Sequence, residues 1–360
     1  MKIRDQYIAK TLLSYTLIVL LIWLSIYSFF NFLSELNYVG TANYTIFQAL
    51  KYIILQMPEV AYDQASPVIL LGCVLGMGHF ATTGQLIIFR IAGLSILKIT
   101  WLTVKNALIF IIAIIIFGEL LAPTLTNYAE SSRSISLANN ITASSQKGFW
   151  IRDGDNFINV NENVDGEEFN SLMIIEVNSF NKIERVIKSE KAIFDGNSLD
   201  MINSEIFTIG ESGFFDNISI KERNSYNKTV TFDSDLIDSL EKEPEELKTW
   251  AIVKKIQFLS NNKLKSKLYE VELYKRLVKP LTLIAMILMA MLFIFGSTRE
   301  TTLGRKIFFG VALGLSFELL SRIGGALALS FEFSPLISSI APAGVVIGIS
   351  ITLLIQKSMS

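Results

Sequence analysis

Residues 99–122 read ITWLTVKNALIFIIAIIIFGELLA, and how this stretch is interpreted decides the fold. As a helix rising ~1.5 Å per residue it is ~36 Å long, enough to cross a hydrocarbon core of about 30 Å. Backbone N–H and C=O groups cannot go unpaired in hydrocarbon, so an apolar run of this length crosses as a helix. Working outward, five more runs have the same character: 11–32, roughly 58–80, 277–295, 307–329 and 336–355. The run 58–80 is the least uniform, with Glu59 and Asp63 near its start. Three runs precede and three follow a polar stretch, from about 127 to 279, that holds most of the charge. Composition agrees: 51% of 360 residues are hydrophobic, only 18% are charged and the mean hydropathy is +0.45, too apolar for a soluble globule of this length.

Lys and Arg in short loops mark the cytoplasmic side of a membrane protein. With the N-terminus inside, that side collects Lys2, Arg4, Lys10, Arg90, Lys98, Lys105, Arg299, Arg305, Lys306 and Lys357. The short loops opposite, 33–50 and 330–335, contain neither residue type. Both termini are therefore expected in the cytoplasm, with 123–276 outside it. The apolar run 11–32 follows Lys2, Arg4 and Lys10 as a signal peptide would, but at ~33 Å of helix it is longer than a usual signal core, and it is read as a retained first span. A net charge of -1 gives no basic face for nucleic acid, which leaves membrane lipids and proteins as partners. The single cysteine, Cys73, lies in an apolar run and reads as a small buried residue; no intrachain disulfide can form.

From Gly148 the pattern changes to short strand-like segments. Phe149-Trp150-Ile151-Arg152 and Phe157-Ile158-Asn159-Val160 flank Asp153-Gly154, a hairpin signal. Further segments follow at 172–177, 182–194, 198–209, 214–221 and 229–232, spaced as in an all-β sandwich or jelly roll. Two readings stand for such a domain, a trough for lipid or a docking domain with a filled core. A helix opened by Pro244 follows over 245–260, and Lys263, Lys265, Lys267, Lys275, Arg276 and Lys279 crowd the approach to the fourth span. The fold class is thus a polytopic α-helical membrane protein, six transmembrane helices arranged 3+3, with an inserted all-β, jelly-roll-like periplasmic domain. The expected divisions are 1–122, 123–262 and 263–360.

No GxxxxGK[ST] loop is present to cradle nucleotide phosphates, so the chain is not expected to supply ATP hydrolysis or to be an enzyme by itself. There is no HExxH, Cys/His cluster or Gly-x-Ser-x-Gly elbow, and no cofactor or metal site is read; the lone His79 reads as an interfacial residue. Glu318 and Arg322 lie four apart on the fifth span and share a helix face. They form either a structural ion pair or a contact to an anionic headgroup. The loop 82–98 has an apolar core, from Gln85 to Ala92, too short to span a bilayer. A short interfacial helix is expected there, one that docks a soluble ATPase or lies on the membrane surface.

Taken in order, several stretches resemble the LptF/LptG family of lipopolysaccharide-export permeases, most of all its LptG members. They are Asp5-Gln6-Tyr7-Ile8-Ala9-Lys10-Thr11, the Leu-Gly repeats of 67–78, Ala92-Gly93, Gly118-Glu119 and Ala122-Pro123. The strand signature GFWIRDGDNF at 148–157 and the return from Lys279-Pro280-Leu281 to Phe293-Ile294-Phe295-Gly296 complete the likeness. The resemblance implies a heterodimer with an LptF-type permease, an LptB-type cytoplasmic ATPase dimer, and LptC and LptA continuing a periplasmic β bridge. Lipopolysaccharide would enter between the two permeases, and a coupling helix at 82–92, with Gln85, Leu86, Phe89 and Arg90, would meet the ATPase.

Two departures accompany the likeness. Gln85 stands where family members usually carry an acidic residue, and Asn31, Asn37, Tyr38 and Glu59 stand where LptG proteins place basic ones. Arg133 does match a basic position, and Lys275, Arg276, Lys279, Glu318 and Arg322 are the further candidates for the substrate path. Rival readings are a permease for another lipid or lipoprotein, and a membrane-anchored periplasmic scaffold that moves nothing.

Overall fold

The computed structural model describes residues 3–137, 146–163, 167–178, 182–209, 218–232, 237, 242–262, 264–296, 303–331 and 333–359. Lys2, Lys263, Arg299 and residues 214–217 of the expected strand 214–221 lie outside them. The chain divides into two compact units, Met1–Arg133 with Glu270–Ser360, and Ser134–Tyr269. These divisions differ from those expected at 122/123 and 262/263.

In the helical unit, six helices among the described residues are long and apolar enough to cross a membrane. They are contributed by α1 (Ile3–Glu35), α3 (Ala65–Thr82), α5 and α6 (Ile96–Ile116 and Ala122–Leu137, joined through a π-helical turn, Phe117–Leu121), α8 (Lys267–Gly296), α9 (Leu303–Ser330) and α10 (Pro335–Met359). Between them lie α2 (Ile46–Asp63) and the short α4 (Gln85–Ile91); α7 (Thr249–Asn261) belongs to the other unit. Thr45 opens α2 with a capping box: its hydroxyl accepts from Gln48 N–H at 3.4 Å and Gln48 Oε1 accepts from Thr45 N–H at 2.6 Å.

The second span departs from the range 58–80. Pro58 lies inside α2, and the helix breaks at Gln64, so that the span is Ala65–Thr82. The cause is Pro67, which has no N–H to offer the Asp63 carbonyl four residues back and whose ring crowds it. The third span does not end at 122. Pro123 poses the same problem there, and the extra residue of a π turn absorbs it: Ala122 N–H reaches back to the Phe117 carbonyl and the helix runs on to Leu137. Gly118 in that turn lies against the Tyr62 ring, where any Cβ would clash at 2.0 Å.

Nearly four-fifths of α3 is buried, the largest share of any span. Its neighbours approach through two small-xxx-small pairs. An added Cβ at Gly72 would come within 2.4–2.8 Å of Thr16 on α1, and one at Gly76 within 3.3 Å of Leu12. On the other flank, Gly310 and Gly314 of α9 let Leu71 and Pro67 approach equally closely. Without a hydrophobic drive between helices in lipid, this close packing is what associates them. Gly72→Val is therefore expected to cost about 1–3 kcal/mol through overpacking, read as a lowered unfolding midpoint of the purified chain in detergent. Gly344→Ala, where a Cβ meets nothing within 4 Å, is expected to leave it unlowered.

The second unit holds one six-stranded antiparallel sheet in sequence order: β1 (Gln146–Asp153), β2 (Asn156–Asn163), β3 (Glu168–Val177), β4 (Ile183–Phe194), β5 (Ser198–Ile209) and β6 (Ile218–Thr229). The connectivity is a meander. Among the described residues, Gly154 (φ 62°) and Gly196 (φ 97°) make two Asp-Gly turns, as the sequence signals. At the second, Asp195 accepts from Asn197 N–H, Ser198 N–H and the Ser198 hydroxyl, which holds its carboxyl below the usual range. β6 is a single strand where the sequence suggested separate segments at 214–221 and 229–232. Its polar run Lys221–Ser225 is exposed, and the alternation of burial begins only at Tyr226.

One face of the sheet carries Ile158, Val160, Phe169, Leu172, Ile174, Ile187, Phe194, Leu199 and Met201, all nearly inaccessible. The layer curls over this face, and Phe232, Ile237 and Phe258 from beyond the sheet help to cover it. Two ties mark the curl: Thr231, just past β6, donates its N–H to Asp153 at the end of β1 at 3.0 Å, and Lys228 of β6 pairs with Glu176 of β3. Rings of Phe149, Phe169, Phe194 and Phe232 stack in succession inside, with centroids 5.6–6.2 Å apart.

Lys255 of α7 is buried in this unit with its ammonium 4.5 Å from the Tyr269 ring centre, and burial pushes its pKa down to about 8. The unfolded chain, with an ordinary lysine near 10.4, binds more protons than the folded one between these values. Stability of the sheet unit is expected to rise as pH climbs from about 8 to about 10. Resistance to proteolysis of the β strands at graded urea concentrations checks this; Lys255→Met should flatten the pH dependence.

Candidate functional site: a short loop helix and a charge cluster

Gly84, with φ 74°, reverses the chain after α3 and starts α4; Gly93, with φ 83°, ends it. The exit is a Schellman motif: Leu94 N–H bonds the Phe89 carbonyl at 3.1 Å and Gly93 N–H the Arg90 carbonyl at 3.0 Å. Leu86 is buried, and Phe89 meets Phe80 edge to face at 6.1 Å, so these two predicted contact residues pin α4 to the helical unit. Gln85 Oε1 is likewise buried and makes no hydrogen bond. Arg90 is exposed, as are Ile87, Ile88 and Ile91, the last at 82%. These three isoleucines were not among the predicted residues. Their spacing puts them on one face, but with Leu86 and Phe89 equally apolar on the other, periodicity alone does not say which face turns outward.

A second assembly lies where α2, α8 and α9 converge. The orphaned Asp63 carbonyl accepts from Lys279 Nζ at 3.1 Å, and the same ammonium lies 5.1 Å from the Tyr62 ring centre. A buried lysine thus supplies the donor that Pro67 lacks and places positive charge at the C-terminus of α2. Burial pushes the Tyr62 phenol up, as does the nearby Glu119. Glu272 accepts from Arg276 Nε at 2.9 Å and from Lys275 Nζ at 3.2 Å. Glu318 and Arg322 form the expected i,i+4 pair at 3.2 Å, and the Glu318 carboxylate is within electrostatic reach of Lys279.

Arg133 lies in a third group. Its Nε donates to Glu35 at 3.1 Å, and its guanidinium faces the rings of Tyr38 and Tyr52 at 4.7 and 5.3 Å. Tyr44 donates to the same Glu35 oxygen at 2.7 Å and Tyr52 to Glu130 at 2.5 Å. Burial, and then these carboxylates, hold both phenols far above their ordinary pKa, so they remain donors at physiological pH. Tyr38, one position lacking the expected basic residue, is thereby part of the cage around Arg133, and Glu59, another, accepts from Thr126 at 2.7 Å.

The structure therefore sorts the predicted basic residues. Lys279, about 7% exposed, and the caged Arg133 join helices to one another, while the equally buried Arg276 pairs with Glu272 on its own helix. Lys275 and Arg322, with side chains 42% and 70% exposed, keep surface to offer an anion.

A model of the family described as lipopolysaccharide export system permease LptF/LptG matches residues 6–356. The chain is 24% identical over 356 residues, 98% of both chains, to the Escherichia coli K12 protein named lipopolysaccharide export system permease protein LptG. To the Haemophilus influenzae protein of the same name it is 24% identical over 340 residues, 94% of both chains.

Proposed function

Because the chain belongs to the family of lipopolysaccharide export system permeases LptF/LptG, we propose that it is the LptG-type half of a heterodimer with an LptF-type permease. An LptB-type ATPase dimer docks on α4, and LptC and LptA extend the sheet unit into a bridge toward the outer membrane. Both termini face the cytoplasm and residues 134–269 the periplasm, a reading supported by the one-sided distribution of Lys and Arg in the short loops.

One observation carries the proposal. α4 is anchored by Leu86 and Phe89 and presents Ile87, Ile88, Arg90 and Ile91 outward. A rigidly seated apolar patch with a cation at its edge can take a push from a partner and pass it to α3. ATP binding and hydrolysis belong to the partner. The chain's own part is to move α3, against which α1 and α9 pack through glycine contacts, and so to alter the lipid-facing wall.

Lipopolysaccharide phosphates would meet Lys275 and Arg322, the two cluster cations with exposed surface. The curled sheet, whose inner face is apolar, would receive the acyl chains by parting the Asp153–Thr231 and Glu176–Lys228 ties. Lys275→Glu combined with Arg322→Glu is expected to lower lipopolysaccharide photocrosslinking about tenfold or more, as loss of two charge-assisted contacts. Folding is read separately by thermal unfolding, because Lys275 and Arg322 neutralise Glu272 and Glu318, whose side chains are only 11% and 21% exposed. Unchanged crosslinking in a folded double variant would remove these residues from the path.

A further inference from the structure

A cavity of about 640 Å³ lies between α8, α9 and α10, and its lining shares no residue with α4, the charge cluster or the Arg133 cage. Its wall consists of one stripe from each helix: Met289, Leu292, Phe293 and Gly296; Arg305, Phe309 and Leu313; Val346, Ile349, Ser350, Leu353 and Lys357. Among the described residues, the charged ones of this wall are Arg305 and Lys357, both at the same end, beside Gly296. Everything deeper is apolar apart from Ser350. From Lys357 to Val346 the stripe runs ~17 Å, close to half of a ~30 Å hydrocarbon core. The slot therefore has the depth of a single leaflet, with both cations where that leaflet's headgroups lie.

Gly296 shapes the mouth. A Cβ there would come within 2.7 Å of Lys357 Nζ, so the glycine is what allows the ammonium to sit over the slot. The Arg305 guanidinium lies 5.8 Å from the Phe309 ring centre, which turns it toward the same opening.

We propose that this slot is a binding site for one anionic glycerophospholipid of the cytoplasmic leaflet, its phosphate between Arg305 and Lys357 and an acyl chain along α8 and α10. The assignment of leaflet rests on the orientation given under Proposed function; the binding does not. A slot of about 640 Å³ suits one acyl chain, as of a resident lipid, and competition with added lipopolysaccharide distinguishes this occupant from the cargo. By tying the start of α9 to the ends of α8 and α10, it would hold together the three helices that follow the sheet unit.

The test is native mass spectrometry of the full chain with its partner subunits, released from micelles containing equal phosphatidylglycerol and phosphatidylcholine. The wild type is expected to retain phosphatidylglycerol preferentially. Arg305→Gln and Lys357→Gln should each reduce that preference about fivefold, given the usual contribution of one cation near anionic lipid, and the charge-keeping Arg305→Lys should restore most of it. Ile349→Trp, which fills the slot, should lower retention of both lipids, whereas Val345→Trp, which is not in the wall, should not. No preference in the wild type, or a preference unmoved by the two glutamine variants, overturns the proposal. So does added lipopolysaccharide that displaces phosphatidylglycerol and is itself lost from the slot variants, since the cavity would then belong to the cargo path. Labelling of Ser358→Cys from one side of sealed vesicles reports the orientation separately.

Discussion

Ile88→Asp combined with Ile91→Asp is expected to abolish copurification of the proposed ATPase partner with this permease while leaving the helical unit folded. Both side chains are exposed on α4 and make none of its anchoring contacts, so the free chain tolerates the change. In a docked complex each carboxylate would be desolvated without a partner. Central interface residues commonly contribute ~2 kcal/mol or more each, so the pair should weaken docking about a thousandfold. Leu86→Ala should behave differently. It removes a buried anchor of α4, at a cost of about 2–5 kcal/mol, and should lower thermal stability together with ATPase binding. Gln85→Ala should change docking little, because its amide oxygen is buried. Full ATPase recovery with the double aspartate variant would show that α4 is not the docking surface.

Lys279→Met should destabilise the helical unit by about 1–3 kcal/mol, the cost of leaving a buried acceptor unmet. The reason assigned to this residue is specific, and a double-mutant cycle reaches it. If Lys279 replaces the N–H that Pro67 lacks, then Pro67→Ala restores a main-chain donor to the Asp63 carbonyl. The cost of Lys279→Met should then fall by roughly 1 kcal/mol in that background. Equal costs in both backgrounds would mean that Lys279 acts only through the charges of Asp63 and Glu318. Either way, Lys279→Glu should be the most damaging change in the cluster, since it buries a carboxylate beside Asp63, Glu272 and Glu318. A transport defect in that variant would report lost folding, not lost lipid contact.

These two cases show where reading the chain succeeds. Six long apolar runs are legible because hydrocarbon admits few backbone solutions, so length and composition suffice. The turns at Gly154 and Gly196 and the strands beside them are legible for a similar local reason: Asp-Gly has few other uses between alternating segments. The spacing of Gly72 with Gly76 and of Gly310 with Gly314 is also present in the sequence. Its meaning, though, depends on which helices face each other.

The amino-acid sequence by itself determined that this protein crosses a membrane six times, carries an antiparallel β domain between two sets of three helices, and belongs to a lipid-export family. Only the tertiary structure decided which groups are free to act. It turned Leu86 and Phe89 inward and Ile87, Ile88 and Ile91 outward on a helix apolar on both sides. It carried the helices past Pro58 and Pro123, through a π turn in the second case, and broke one at Gln64 ahead of Pro67, because a lost N–H can be absorbed by geometry or by a distant lysine. It also divided five basic candidates into ties between helices (Arg133 and Lys279), a buried pair within one helix (Arg276) and exposed cations (Lys275 and Arg322). The physical reason is common to all of these. Local sequence fixes which hydrogen bonds and apolar faces need partners, but the partner that meets each need, whether Lys279 for Asp63 or Glu35 for Arg133, comes from far along the chain.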